Sequence, residues 1–119
     1  MKLFNYIFVG LLFVAVDSIW LILGSGLSQS MIKDIQGSPL KLRMWAGAVV
    51  YIALAYLVTI PKNNTEAFLL GLTTYAIYDF TNYSTLDKYQ LKFALMDSLW
   101  GGILMTAVWN LSSYFKLLD

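Results

Sequence analysis

Three aspartates stand inside stretches otherwise apolar and long enough to cross a lipid bilayer, and that conflict limits what the chain can fold into. Asp17 lies in the run 3–23, Asp79 in the run 67–84 and Asp97 in the run 92–115. About 20 apolar residues in a helix cover the roughly 30 Å hydrocarbon layer. An ionisable side chain at such depth is expensive, and a functional site is its default explanation. A workable fold must turn the apolar surface towards lipid and still give each carboxyl a partner.

The remaining composition agrees. Only 13% of the residues are charged against 59% apolar, whereas soluble domains carry roughly 25% charged residues. Too little charge is present to cover a water-facing surface, so the reading is one small integral membrane domain, 1–119. The net charge of +1 leaves no footprint for nucleic acid. Cysteine and histidine are both absent, which removes disulfides, thiolate nucleophiles, the usual zinc sites and any imidazole base. Chemistry, if there is any, falls to carboxylates, hydroxyls, amides and aromatic rings.

Taken in order, the chain predicts four antiparallel helices joined by short connections. The first run, 3–23, follows Lys2 and precedes Gly24-Ser25-Gly26, as a signal peptide would. Asp17 inside it, and a matching motif near the other end of the chain, argue for a retained helix. Residues 24–43 form a connection in which Leu27, Met31 and Ile35 recur every four residues. That spacing is compatible with a short amphipathic helix at the membrane interface, ended by Gly37 and Pro39, and equally with an irregular polar loop. The second run, 44–60, is uncharged and closes at Pro61, and Lys62 to Glu66 make a polar turn. The segments lack strand-like alternation, so a barrel is excluded and helices must satisfy the backbone in lipid. Lys33, Lys41, Arg43, Lys88 and Lys92 fall in the first and third connections, against Lys2, Lys62 and Lys116 elsewhere. This bias orients the first and third connections towards the cytoplasm of a plasma (inner) membrane.

Depth then gathers the aspartates. Asp17 is six residues before the end of its run, Asp79 five before the end of its own and Asp97 five after the start. Each is therefore roughly 7 to 9 Å from one membrane face at 1.5 Å per residue. Tyr75, Tyr78, Asp79 and Asn82 follow an i, i+3, i+4, i+7 pattern, Asp17 pairs with Trp20 at i+3, and Asp97 pairs with Trp100. Gly101 and Gly102 remove bulk beside Asp97, while Ser18, Thr81 and Ser98 offer hydroxyls. Apart from Lys92, the first residue of the last run, no Lys, Arg or His lies within the four runs. The charge must be met by Lys41, Arg43 or Lys92 reaching inward, by protonation, or by a bound cation. Asp17, Asp79 and Asp97 are accordingly the candidate metal ligands, for a divalent cation of the Mg²⁺ or Ca²⁺ type.

The motifs Asp17-Ser18-Ile19-Trp20, Tyr78-Asp79-Phe80-Thr81-Asn82 and Asp97-Ser98-Leu99-Trp100-Gly101 resemble those of a family of small predicted bacterial membrane proteins of unknown function. The likeness covers nearly the whole chain. It implies a four-helix membrane fold and this choice of residues, without an activity.

Three classes of function fit. The first is a one-sided intramembrane site for a proton, a cation, or a small ligand or lipid headgroup, formed by Asp17, Asp79, Asp97, Asn82, Tyr78, Thr81, Tyr75, Ser98, Trp20 and Trp100. Catalysis there stays open, since no nucleophile motif or phosphate loop is present. The second is a proton- or cation-coupled transporter or channel subunit, disfavoured because the half of the bundle towards the termini holds no ionisable residue. The third is an assembly module whose polar side chains join helices, at about 0.6 kcal/mol per hydrogen bond. At 13.5 kDa, homo-oligomerisation suits all three, with the lipid bilayer as the common partner.

Overall fold

A computed structural model describes residues 2–118. They form five helices: α1 Leu3–Leu23, α2 Ser25–Gln36, α3 Met44–Leu57, α4 Asn64–Thr85 and α5 Leu91–Tyr114. No strand occurs among the described residues. The class is all-α, with one helix more than a bare four-run count. Two helices, α1 and α5, are long and apolar enough to cross a membrane.

The departures from the expected boundaries have local causes. Helix α3 stops at Leu57 instead of reaching residue 60. The backbone N–H groups of Thr59 and Ile60 bond back to Tyr56 and Leu57 at 3.1 Å each, a three-residue spacing that tightens the chain into a turn. Pro61 follows, and the residue before a proline is pushed out of the helical region. At 14 residues, α3 is only about 21 Å long. Helix α4 begins three residues earlier than expected, because the polar turn is its cap. Asn63 Oδ1 accepts from the Glu66 backbone N–H at 2.9 Å, and Glu66 Oε1 accepts from the Lys62 N–H at 2.9 Å. This reciprocal exchange satisfies two donors at the helix start.

The first connection resolves in favour of a helix. Gly37, at φ 74°, ends α2 in the left-handed region and donates to the Lys33 carbonyl, the conformation a glycine adopts without strain. Its apolar stripe packs against the rest of the chain. Met31 is buried against Tyr89 and Ala94, with Ile35 and Phe93 beside them, and the Gln90 N–H points at the Met31 sulfur, 3.3 Å away. Thus α2 folds over the end of the molecule where α4 turns into α5.

The opposite end is tied by three other bonds. Asn5 donates to the Leu117 carbonyl, Trp109 Nε1 to the Pro61 carbonyl, and Asn110 to Asn64 Oδ1. The start of α1 therefore meets the end of α5, and the two run antiparallel. Packing follows the order α3, α1, α5, α4, with the most extensive seam between α4 and α5. Val9 and Phe13 of α1, Leu54 and Ala55 of α3, and Leu104, Met105 and Val108 of α5 form the main core.

Glycines make the α4–α5 seam close. A methyl group added at Gly71 would strike the carbonyl of Gly101, and one at Gly101 would strike the Tyr75 ring. A backbone carbonyl cannot swing aside, so these helices approach to a distance only glycine permits. Gly101→Ala should destabilise the protein by about 1–3 kcal/mol, as overpacking typically does, read by chemical unfolding in detergent. Gly10, with open space around its Cα, should tolerate alanine with no loss.

Candidate functional site

Helix periodicity sends Asp17 of α1, Asp79 of α4 and Asp97 of α5 inward, where they are 8%, 0% and 8% exposed. Their partners come from other parts of the chain. Asp17 Oδ1 accepts from Trp100 Nε1 of α5 at 2.8 Å, and Asp97 Oδ1 accepts from Trp20 Nε1 of α1 at 2.8 Å. The matched Asp-Ser-x-Trp motifs thus serve each other crosswise, each aspartate using the tryptophan of the other motif. The two indoles stack with centroids 6.4 Å apart and planes 28° apart, and Phe93 stacks on Trp20.

Two tyrosines complete the arrangement. Tyr51 of α3 donates to Asp17 Oδ2 at 2.6 Å. Tyr89, in the α4–α5 connection, donates to Asp79 Oδ1 at 2.7 Å, and Ser98 approaches Asp79 Oδ2 at 3.5 Å. Burial, and then the Asp79 carboxylate that accepts its proton, hold the Tyr89 phenol well above its ordinary range, so it remains a donor at neutral pH. Neutral indoles, phenols and a hydroxyl partner these acids, in place of the lysines and arginine expected to reach inward.

Tyr75 faces the same interior, but Tyr78 is 63% exposed and Thr81 lies on the outer face with its carbonyl bound by Ser84 and Thr85. At 100° per residue, Tyr78 is about 60° to one side of Tyr75 and Thr81 about 120°, so the stripe that carries Tyr75 and Asp79 inward leaves both behind. Asn82 is half-buried. Ser18 turns back to the Val14 carbonyl. Tyr51 and Tyr89 were missed by the motif reading. A lone phenol in the middle of the uncharged run 44–60, and one aromatic in a short polar connection, were the available signals.

Among the described residues no group of three acidic side chains is arranged to hold a metal ion. The physical reason lies in the partners: Asp17 spends both oxygens on donors, Asp97 gives one to Trp20, and Asp79 turns to Tyr89 and Ser98. Beside the cluster is a cavity of about 170 Å³, walled by Asp17, Asp97, Trp20, Tyr75 and Phe93 and reaching Gly24 and Ser28 at the α1–α2 turn. Such a chamber offers carboxylate oxygens and aromatic faces together. It suits hydrogen-bond donors and cations, which ring faces also attract.

A family model described as Predicted membrane protein (DUF2177) matches residues 2–115. The chain belongs to that family. No curated protein and no solved structure matches it.

The donors of Asp17 back each other up. Tyr51→Phe or Trp100→Phe alone should cost about 1–2 kcal/mol, since one bond to a charged group is lost and the other stays. The double substitution should cost more than the sum, because a buried carboxylate then has neither. Unfolding of all three variants in one detergent tests this; strict additivity would mean the bonds are independent.

Proposed function

With membership of a membrane protein family as the premise, we propose that this chain is a single multi-pass domain in which α1, α3, α4 and α5 cross the bilayer and α2 caps one face. Its function is to hold a proton, and a small cationic or hydrogen-bond-donating ligand, at the carboxyl cluster beneath that cap. The observation that carries the reading is that the buried carboxyls of Asp17 and Asp97 both line a cavity and have only neutral indoles and a phenol as hydrogen-bond partners. Withdrawal from water favours a proton on such carboxyls, and the chamber beside them gives a ligand somewhere to exchange with that proton. Asp17, Trp20, Tyr75, Phe93 and Asp97 line the chamber. The charge bias of the connections turns this face towards the cytoplasm.

One observation favours a second reading, a non-catalytic assembly role: every aspartate has a donor from a different element. A purely structural cluster would keep its fold and lose nothing else on amide substitution.

The proton is directly observable. At neutral pH the infrared spectrum of the wild type should contain a protonated-carboxyl carbonyl band that shifts in deuterium oxide, and Asp97→Asn should remove it. A folded wild type without the band would refute the bound proton.

Topology has its own test. Because cysteine is absent, single thiols at Gln29→Cys, Lys62→Cys and Lys88→Cys report sidedness without background. The first and last should react from one side of the membrane and the middle one from the other; Lys62→Cys reacting alongside Lys88→Cys would overturn the four-span arrangement.

A further inference from the structure

Asp97 and Tyr75 border a second, larger space. Helix α4 has an extensive seam with α5 and α3 packs on α1, but α3 and α4 have no comparable seam between them. The cleft left there is about 430 Å³ in volume and is walled mainly by Val50, Ala53, Leu54 and Leu57 of α3 and by Tyr75 and Tyr78 of α4. Thr74, also on its wall, has its hydroxyl tied to the Leu70 carbonyl. Asp97 is the one acidic side chain lining it. The exposure of Tyr78, unexplained by the carboxyl cluster, is accounted for here as one side of this opening.

Two spaces of opposite character therefore meet at one carboxyl. The cavity under α2 is small, aromatic and acidic; the α3–α4 cleft is larger and nearly all apolar. Neither is lined by Lys or Arg. A phosphate or carboxylate headgroup would meet Asp17 and Asp97 with no cation to offset the repulsion. An ammonium group would meet carboxylate oxygens and the faces of Trp20, Tyr75 and Phe93, the pairing that aromatic cages use for cations. A chain attached to that group has only the apolar cleft to occupy.

We infer that the site takes a single-chain cationic amphiphile, its amine at Asp97 and its hydrocarbon chain in the α3–α4 cleft, entering sideways from the lipid. This rests on the ligand-site reading above and names the ligand class for it. Complementary charge at the head and apolar walls along the tail select this occupant over a fatty acid or a second copy of the chain.

The full chain in phosphatidylcholine nanodiscs, followed by thermal unfolding, tests it with three probes: dodecylamine, butylamine and dodecanoate. Dodecylamine should stabilise the wild type, and dodecanoate, which enters lipid through the same chain, should not. Ala53→Phe narrows the cleft at an exposed position distant from the carboxyl partners and should fold normally. It should weaken dodecylamine by about tenfold, the scale of a few displaced methylenes, while leaving butylamine unchanged. Asp97→Asn should weaken both amines. If Ala53→Phe leaves dodecylamine binding unaltered, the cleft is not the tail site and the inference falls, although butylamine binding lost in Asp97→Asn would preserve the small-cation reading. If dodecanoate stabilises as well as dodecylamine, charge selection is absent and the inference falls. If neither amine stabilises the wild type, the inference falls, and with it the ligand part of the reading beneath it, while the infrared band decides the proton separately.

Discussion

A carboxylate withdrawn from water must be given hydrogen bonds or lose its charge, and the packing of this chain follows from meeting that demand three times. Removing such a group from water unpaired costs several kcal/mol or more. Here the demand is met by the N–H of two indoles and the O–H of two phenols. These donors are rigid and bulky, and their apolar bodies suit an apolar interior. Each bond therefore fixes helix position as well as satisfying charge: Tyr51 ties α3 to α1, the two tryptophans tie α1 to α5, and Tyr89 ties the connection back to α4. Packing order and polar order are the same order.

The close α4–α5 seam serves this arrangement. Gly71 and Gly101 bring the two backbones together, which sets Asp79 against Ser98 of α5 and lays the Tyr75 ring over α5. Larger residues would separate the two helices and move Tyr75 from the wall of the chamber. On the other side of the molecule the absence of such a seam between α3 and α4 leaves the cleft. Close approach in one place and looseness in another are thus both needed to give Asp97 its surroundings.

Much of this was legible in the sequence, and the rest failed for identifiable reasons. Depth counting, which rests on the nearly constant rise of a helix, put Asp17, Asp79 and Asp97 at one level, and all three side chains are buried. Pairing could not be read that way. The two Asp-Ser-x-Trp motifs are recognisable as alike, but i+3 spacing invites pairing Asp17 with Trp20, whereas the antiparallel crossing of α1 and α5 exchanges the partners. Tyr78 was misplaced because a four-residue pattern is wider than the face it describes. Tyr89 escaped because its partner Asp79 is reached only after the chain turns at residues 86–90, and Met31 because an amphipathic stripe does not say which apolar surface it will meet.

The crosswise Asp–Trp bonds join the first helix to the last, and this has a bearing on how the protein is made. Chains emerge from the amino end and fold progressively, so Asp17 enters the interior before Trp100 has been synthesised. In that interval Tyr51 is the donor already made, because α3 precedes α5 in the chain. Arrival of α5 then delivers Trp100 to Asp17 and Asp97 to Trp20 in one motion. The last helix thus completes what the first begins: until α5 packs, Asp17 lacks one of its two donors and Trp20 has no carboxyl to donate to.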